Sequence, residues 1–284
     1  MIKIDVKQNG KSNIIEFPYS ATEILYKDFC DYRIWFESQP LWFKNSDWHE
    51  KEADYALKII EGIRLLTKVD LSYLDLTNIS VDGMAIKLDS LLHSILINCR
   101  AAKDASSIIE YKGDWYQLDD TRTVHLGIMA MYVENKYKVT HEGDVNDYNK
   151  TLYHTAIYAR KRLIGRRETL PKDRQSCEAL IEQRVKHFQD ITLQDAMTIR
   201  FFFLLWFGEI NSHKFYRRVF KSMHTPPQVD DKTRLRNDRY LNEFSNFVWI
   251  KILIDGNVFG NLQQTLNGNF YDALFYLSMY YNQP

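Results

Sequence analysis

Two short strand-turn-strand patterns, each followed by a helical pattern, constrain the fold more than any other feature of the sequence. The first lies at residues 1–17, where apolar and polar residues alternate on both sides of Asn9-Gly10, a dipeptide that favours a two-residue hairpin turn. The second runs through residues 108–118, around Lys112-Gly113-Asp114. An isolated two-stranded hairpin is marginally stable in water, so each pair is expected to pack against further strands or a layer of helices.

Helical periodicity dominates the rest of the first half. Ser20 and Glu23 have the spacing of a capping box, so a helix is expected to begin directly after Ser20. Its apolar residues recur every three or four positions, at Leu25, Phe29, Tyr32 and Phe36. Further helices are expected at residues 50–66 and 82–103, and a third after Thr121 or Thr123.

After Gly143 the pattern is helical almost to the end of the sequence. One apolar stripe passes through Ala159 and Leu163, so a helix is expected to continue through the basic residues there. Thr192 and Asp195 are expected to cap a helix whose apolar run, residues 201–207, is buried. Residues 224–238 have the composition of an exposed loop, and two closing helices are expected at 239–253 and 270–281. The predicted fold class is α+β, mainly α, with the short hairpins packed on a multi-helix bundle.

The charges suggest two halves of different character. The chain has 37 basic and 37 acidic residues, but residues 1–142 hold 17 basic against 22 acidic ones, a net charge of −5, and residues 143–284 have a net charge of +5. We therefore expect a hairpin-plus-helix half at 1–142 and a helical half at 143–284. The order strand, turn, strand, helix occurs twice in the first half, through either an internal duplication or chance.

The sequence contains none of the compact motifs that mark common catalytic and cofactor sites. It has no glycine-rich phosphate loop, no zinc-type spacing of histidines and no serine nucleophile elbow. The acidic pairs Asp119-Asp120 and Asp230-Asp231 are typical of solvated turns. We therefore predict a protein that is not an enzyme and has no cofactor, metal or catalytic residues. A competing hypothesis is an enzyme whose site combines dispersed residues such as Asp119, His125 and His154.

Cysteine spacing and hydropathy bear on the compartment. The three cysteines form no CxxC pair, which argues against a disulfide framework. The first residues lack the apolar run of a signal peptide, and residues 199–210 are too short a run to cross a bilayer. We expect no secretion through a signal peptide and no membrane association.

The strongest candidate for an interaction site is basic. Residues 159–174 contain seven Lys and Arg side chains against Glu168 and Asp173. The candidate contacts in this stretch are Arg160, Lys161, Arg162, Arg166 and Arg167, and a second cluster contributes Lys214, Arg217 and Arg218. They could bind phosphates, with Tyr148, Tyr153 and Tyr158 stacking on exposed bases. The alternative is the solvated C-terminal end of a helix, where cations favour the dipole.

Three stretches, "FPYSATEILYKDFCDY", "YKGDWYQL" and "FQDITLQDAMTIRFFFLLW", together resemble virion and tail-assembly proteins of tailed bacteriophages, particularly crAss-like and other Bacteroidetes phages. This resemblance implies a structural or assembly protein of the neck or tail that acts through its surfaces. The expected partners are other virion or assembly proteins and further copies of the chain, located in the virion or the host cytoplasm. A nucleic-acid-binding protein that uses residues 159–174 is the main rival hypothesis.

Overall fold

The fold is α+β and mainly α, as the sequence predicts. The computed structural model describes residues 1–8, 11–45, 52–69, 79–81, 92–96, 107–119, 123–137, 145–164, 166–171, 173–214, 216, 219 and 249–281. The chain forms two compact units that alternate along the sequence. Unit 1 comprises Met1–Asp104, Val139–Asn149 and Gln189–Thr198, and unit 2 comprises Ala105–Lys138, Lys150–Phe188 and Ile199–Pro284. Each unit therefore includes segments from both sides of residue 142.

Unit 1 contains a three-stranded antiparallel sheet and three of the described helices. The strands are β1 (Ile2–Gln8), β2 (Lys11–Phe17) and β3 (Ile79–Val81), in the order β2-β1-β3. The helices are α1 (Tyr26–Ser38), α2 (Leu41–Lys44) and α3 (Glu52–Thr67). Gln8 lies opposite Lys11, which confirms the N-terminal hairpin, whereas Asn9-Gly10 lies outside the described residues.

Helix α1 begins later than the capping-box pattern predicts. Glu23 does accept hydrogen bonds from the amides of Tyr19 and Ser20, at 3.0 and 3.3 Å, but these residues form a turn that precedes the helix. Leu25 remains extended because its backbone pairs with Thr192, so the first helical residue is Tyr26. Thr192 is distant in sequence from Leu25, and no local pattern identifies it as the partner of Leu25.

The core of unit 1 is rich in aromatic side chains. Tyr32 and Phe43 are completely buried, and the Tyr32 hydroxyl donates to the carbonyl of Leu92 at 2.8 Å. Of the predicted α1 face, Phe29 and Tyr32 are buried but Leu25 is exposed. Helix α3 confirms the helix predicted at 50–66. Only 92–96 of the predicted helix at 82–103 lie among the described residues, and they are helical.

Unit 2 contains a four-stranded antiparallel sheet and several helices. Its strands are β4 (Ile108–Tyr111), β5 (Asp114–Leu118), β6 (Ala159–Leu163) and β7 (Arg166–Arg167), in the order β4-β5-β6-β7. Helices α4 (Val124–Lys136), α6 (Arg174–His187), α8 (Leu262–Asn267) and α9 (Phe270–Tyr280) belong to this unit. Helices α5 (Val145–Tyr158) and α7 (Leu193–Ser212) contribute residues to both units. Residues 249–255 are also helical.

The second hairpin forms as predicted. Tyr111 pairs with Asp114, and Lys112 and Gly113 have φ angles of 51° and 78°, the two positive values that a tight hairpin turn requires. Thr123 caps α4 by accepting a hydrogen bond from the Leu126 amide at 3.3 Å.

The helix predicted through Ala159 and Leu163 is wrong, because α5 ends at Tyr158 and Ala159 begins β6. Strand β6 pairs with β5 in antiparallel orientation, and Leu118 lies opposite Ala159. The carbonyls of Ala156 and Ala159 accept hydrogen bonds from the Arg184 guanidinium. A side chain from α6 therefore satisfies acceptors that a longer helix would have used for its own amides.

Helix α7 is capped as predicted, but its apolar run is buried on one face only. The Thr192 hydroxyl accepts from the Asp195 amide at 3.2 Å and donates to the Asp195 carboxylate at 2.7 Å. Phe203 is buried, whereas Leu204 and Leu205 are 59% and 57% exposed. An apolar run longer than one helical turn necessarily extends around the helix, so it cannot be buried completely against a single layer.

The C-terminal predictions are confirmed where they can be compared. Helix α9 corresponds to the helix predicted at 270–281. The loop predicted at 224–238 and the start of the helix predicted at 239–253 lie outside the described residues. Within the described ranges, no helix has both the length and the hydropathy that crossing a bilayer requires.

Candidate functional site

The basic stretch forms the β6–β7 hairpin in unit 2, and β7 is an edge strand of the sheet. Arg162 pairs with Arg167 and Leu163 with Arg166, which places Ile164 in the connection between the strands. Ile164 is fully exposed, Leu163 is 41% exposed, and the side chains of Arg162 and Arg166 are also exposed. The hairpin therefore has an exposed apolar residue in its connection and an exposed arginine in each of its strands.

Two of the predicted contact residues are engaged within the chain. Arg160 is 5% exposed, and burial, together with the nearby charge of Arg184, lowers the pKa of its guanidinium to about 10. The Lys161 ammonium lies 2.5 Å from a carboxylate oxygen of Asp114, and this hydrogen bond raises the pKa of Lys161. The basic surface of the hairpin is consequently smaller than the sequence predicts.

Glu168 and Arg184 fix the hairpin to the body of unit 2. The Glu168 carboxylate accepts a hydrogen bond from the Lys161 amide at 3.0 Å and another from the Arg184 guanidinium at 2.6 Å. Burial alone would raise the pKa of Glu168, but these two donors outweigh it and lower the pKa. A charged hydrogen-bond network therefore holds β6 in position.

The remaining basic candidates are only partly described. Lys214 is exposed just beyond the end of α7. Arg217 and Arg218 lie outside the described residues, and so does the side chain of Arg167. The structure thus places Arg162, Ile164 and Arg166 in one exposed hairpin, with Arg162 and Arg166 on opposite faces because Arg162 pairs with Arg167 and Arg166 with Leu163.

The tyrosines predicted to stack on bases do not form a common exposed surface. Tyr158 is completely buried, and its ring packs 6.1 Å from the ring of Phe203. The Tyr153 hydroxyl donates to Glu182 at 2.7 Å, and the Tyr148 hydroxyl donates to the carbonyl of Gln189 at 2.8 Å. The prediction of stacking is wrong for Tyr158, because a buried ring cannot contact a base.

The three residues of the dispersed-enzyme hypothesis lie in different surroundings. Asp119 follows β5, and its amide donates to the carbonyl of Tyr158 at 3.0 Å. His154 is buried and stacks on Phe203 with ring centroids 4.0 Å apart, and burial lowers the pKa of its imidazole to about 3. His125 lines a cavity in unit 2. A catalytic pairing of these residues stays a hypothesis.

Sequence reasoning missed the cavity that His125 lines. The cavity has a volume of about 540 Å³ and is bordered chiefly by residues of α4 and α6. A local signal is the pair Tyr132 and Lys136, which are four positions apart and so share one side of α4, with Tyr137 directly after the helix. No group of three His, Cys, Asp or Glu residues in the described part of the chain has the arrangement of a metal site.

Comparisons of the chain with protein-family models, curated proteins and solved structures give no match. The side-chain arrangement of the chain itself is therefore the basis for inferring its function.

Proposed function

We propose that the protein is a non-enzymatic structural or assembly protein that associates with further copies of itself through the β6–β7 hairpin. The observation that carries this proposal is the fully exposed side chain of Ile164 in a hairpin whose two strands also expose Arg162 and Arg166. Burying an isoleucine side chain at an interface contributes about 1.5–3 kcal/mol. Arginine is also among the residues enriched at protein interfaces.

The charge distribution favours a second copy as the partner. Unit 1 holds 13 basic against 21 acidic residues, a net charge of −8, whereas the hairpin belongs to unit 2, so an acidic surface of unit 1 on one copy would attract the guanidinium groups of the hairpin on the next. Such a contact joins two different surfaces of the same chain, and repeating it produces a ring or a filament. Both products are typical architectures of assembly proteins.

The resemblance to tail-assembly proteins supports placing this assembly in the neck or tail of a tailed bacteriophage. The partners would then be further copies of the chain and other virion proteins, in the virion or the host cytoplasm. The protein would act by positioning its neighbours and would have no intrinsic hydrolase, transferase or nuclease activity.

Nucleic-acid binding is the second candidate function. It is favoured by Arg162 and Arg166, whose exposed guanidinium groups could contact phosphates, and by Trp115, which is 52% exposed and offers a ring for stacking. The burial of Arg160 and the ion pair of Lys161 leave fewer basic groups for phosphates than the sequence predicts.

A charge-reversal series separates the two functions. Arg162→Glu with Arg166→Glu should weaken self-association at least about tenfold, because it reverses the charge that attracts the acidic surface. Ile164→Asp should do the same by replacing the exposed apolar side chain with a charge. The matched control, Lys186→Glu with Lys251→Glu, makes the same change of net charge on exposed helix positions of unit 2 and should leave association unchanged.

Oligomer mass and DNA mobility should be measured on one preparation of each variant. Assembly predicts that the hairpin variants lose mass while the control does not. A monomeric wild type whose tight, salt-sensitive DNA binding disappears in Arg162→Glu with Arg166→Glu would contradict the proposal and support nucleic-acid binding. Arg160 is left unchanged because a glutamate at this buried position would test folding instead.

A further inference from the structure

The cavity in unit 2 has the size and lining of a small-molecule site. Its volume of about 540 Å³ lies within the range of roughly 300–1,000 Å³ that is typical of ligand pockets. The apolar part of its lining consists mainly of Ile128, Met129, Val133, Ile250 and Leu266. Polar and aromatic side chains from α4, α5 and α6 complete it, so a ligand with an apolar body and one polar group would suit the lining.

Three tyrosine rings in this lining already hold a cation. The Lys136 ammonium lies 5.7 Å from the ring centroid of Tyr132, 5.1 Å from that of Tyr137 and 5.7 Å from that of Tyr153. All three distances fall within the range of roughly 6 Å in which an aromatic face attracts a cation. The centroids of Tyr137 and Tyr153 are 5.5 Å apart, so these two rings contact each other.

Glu182 adds a negative charge beside these rings. Its carboxylate accepts a hydrogen bond from the Tyr153 hydroxyl at 2.7 Å. Burial and this hydrogen bond raise the pKa of Tyr153, so its hydroxyl remains a donor at neutral pH. Among the described residues, no cationic side chain forms an ion pair with Glu182.

The other charged groups of the lining do not compensate Glu182. Glu178 is paired with Arg174, with 2.8 Å between the guanidinium nitrogen and the carboxylate oxygen. His125 is neutral at pH 7 because burial lowers the pKa of its imidazole, and its Nε2 atom is buried without a hydrogen-bond partner. When the Lys136 ammonium leaves, the lining therefore has one uncompensated negative charge and three aromatic faces.

We propose that this cavity binds a small organic ammonium ion, which replaces the Lys136 ammonium over the tyrosine rings and lies next to Glu182. Lys136 is the last residue of α4 and its side chain is exposed, so its ammonium can move into water when a ligand enters. The apolar lining contacts the body of the ligand, and His125 Nε2 is available to a hydroxyl group. This site is independent of the β6–β7 hairpin.

Calorimetric titration with choline tests the proposal, and neopentylcarbinol, its uncharged carbon isostere, serves as the control ligand. Lys136→Ala removes the internal competitor and should bind choline about tenfold more tightly than the wild type. Glu182→Gln in the Lys136→Ala background should reduce that affinity about tenfold. Glu209→Gln, which neutralises an exposed glutamate of α7 outside the cavity, should leave it unchanged.

Thermal melting of each variant establishes that it is folded before titration. Choline binding that strengthens in Lys136→Ala, weakens with Glu182→Gln and exceeds binding of the uncharged isostere would support an ammonium site. Three results would overturn it: equal affinity for choline and neopentylcarbinol, no gain on removing Lys136, or no choline binding by any folded variant.

Discussion

Replacing Arg184 with methionine should destabilise unit 2 more than any other arginine substitution on α6. The Arg184 side chain is 8% exposed, and its guanidinium donates to the carbonyls of Ala156 and Ala159 and to the Glu168 carboxylate. It also lies 5.6 Å from the centroid of the Phe188 ring. One side chain therefore joins the end of α5, the start of β6 and the segment after β7.

The expected cost is about 3 kcal/mol. Hydrogen bonds to charged groups contribute about 1.5–3 kcal/mol each, but neighbouring bonds of one group are not additive. Breaking a buried ion pair costs about 3–5 kcal/mol. The lower end applies here because Glu168 is 26% exposed and can regain hydration, and because methionine replaces much of the apolar stem of arginine.

The same substitution should change how stability depends on pH. The folded protein lowers the pKa of Glu168 below its ordinary value of 4.5, so the ionised carboxylate stabilises the fold above that pH. This stabilisation is lost as the pH falls through the lowered pKa. Arg184→Met removes one cause of the lowered pKa, so the difference between wild type and variant should be largest near neutral pH and decrease in acid.

Urea unfolding at several pH values, followed by circular dichroism, measures both effects. Arg174→Met is the matched control, since Arg174 begins the same helix and forms an exposed pair with Glu178. Such surface pairs contribute about 0–1 kcal/mol. If Arg184→Met cost no more than Arg174→Met at neutral pH, the proposed role of Arg184 in ending α5 would be wrong.

Two further pairs of substitutions test the turn and the core. Gly113→Ala should cost about 1–2 kcal/mol because φ is positive there, whereas Gly208→Ala, at an exposed helical position with open space around it, should stabilise by about 0.5–1 kcal/mol; thermal denaturation distinguishes the signs. Phe203→Asp should abolish soluble expression because it buries an unpaired charge, while Leu204→Asp should remain soluble, and soluble, folded Phe203→Asp would contradict the burial of that face.

The sequence predicts those turns and helix caps that are determined by residues close to one another in the chain. The turn at Lys112 and Gly113 needs two residues with positive φ, and the Thr192 cap needs a hydroxyl three residues before an acidic side chain. Gly113 and the spacing of Thr192 and Asp195 are visible in the sequence, whereas the positive φ of Lys112 is not. The mainly helical fold class follows from periodicity in the same way.

The errors occur where a distant residue decides the structure. Leu25 is extended because it pairs with Thr192, and α5 ends at Tyr158 because β5 and Arg184 bind the backbone that follows. The burial of Arg160 has a similar origin, since a run of basic residues does not reveal which of them becomes buried in the fold. The apolar lining of the cavity likewise has no continuous sequence signature.

The mass of the purified wild-type protein, measured at low and high salt, tests self-association most directly. One chain has a mass of 33.8 kDa. We predict multiples of this mass at low salt and a shift towards single chains as salt screens the attraction between the hairpin and the acidic surface. A single species with the mass of one chain, at every protein concentration and salt concentration, would contradict the proposal that this protein works by assembling with itself.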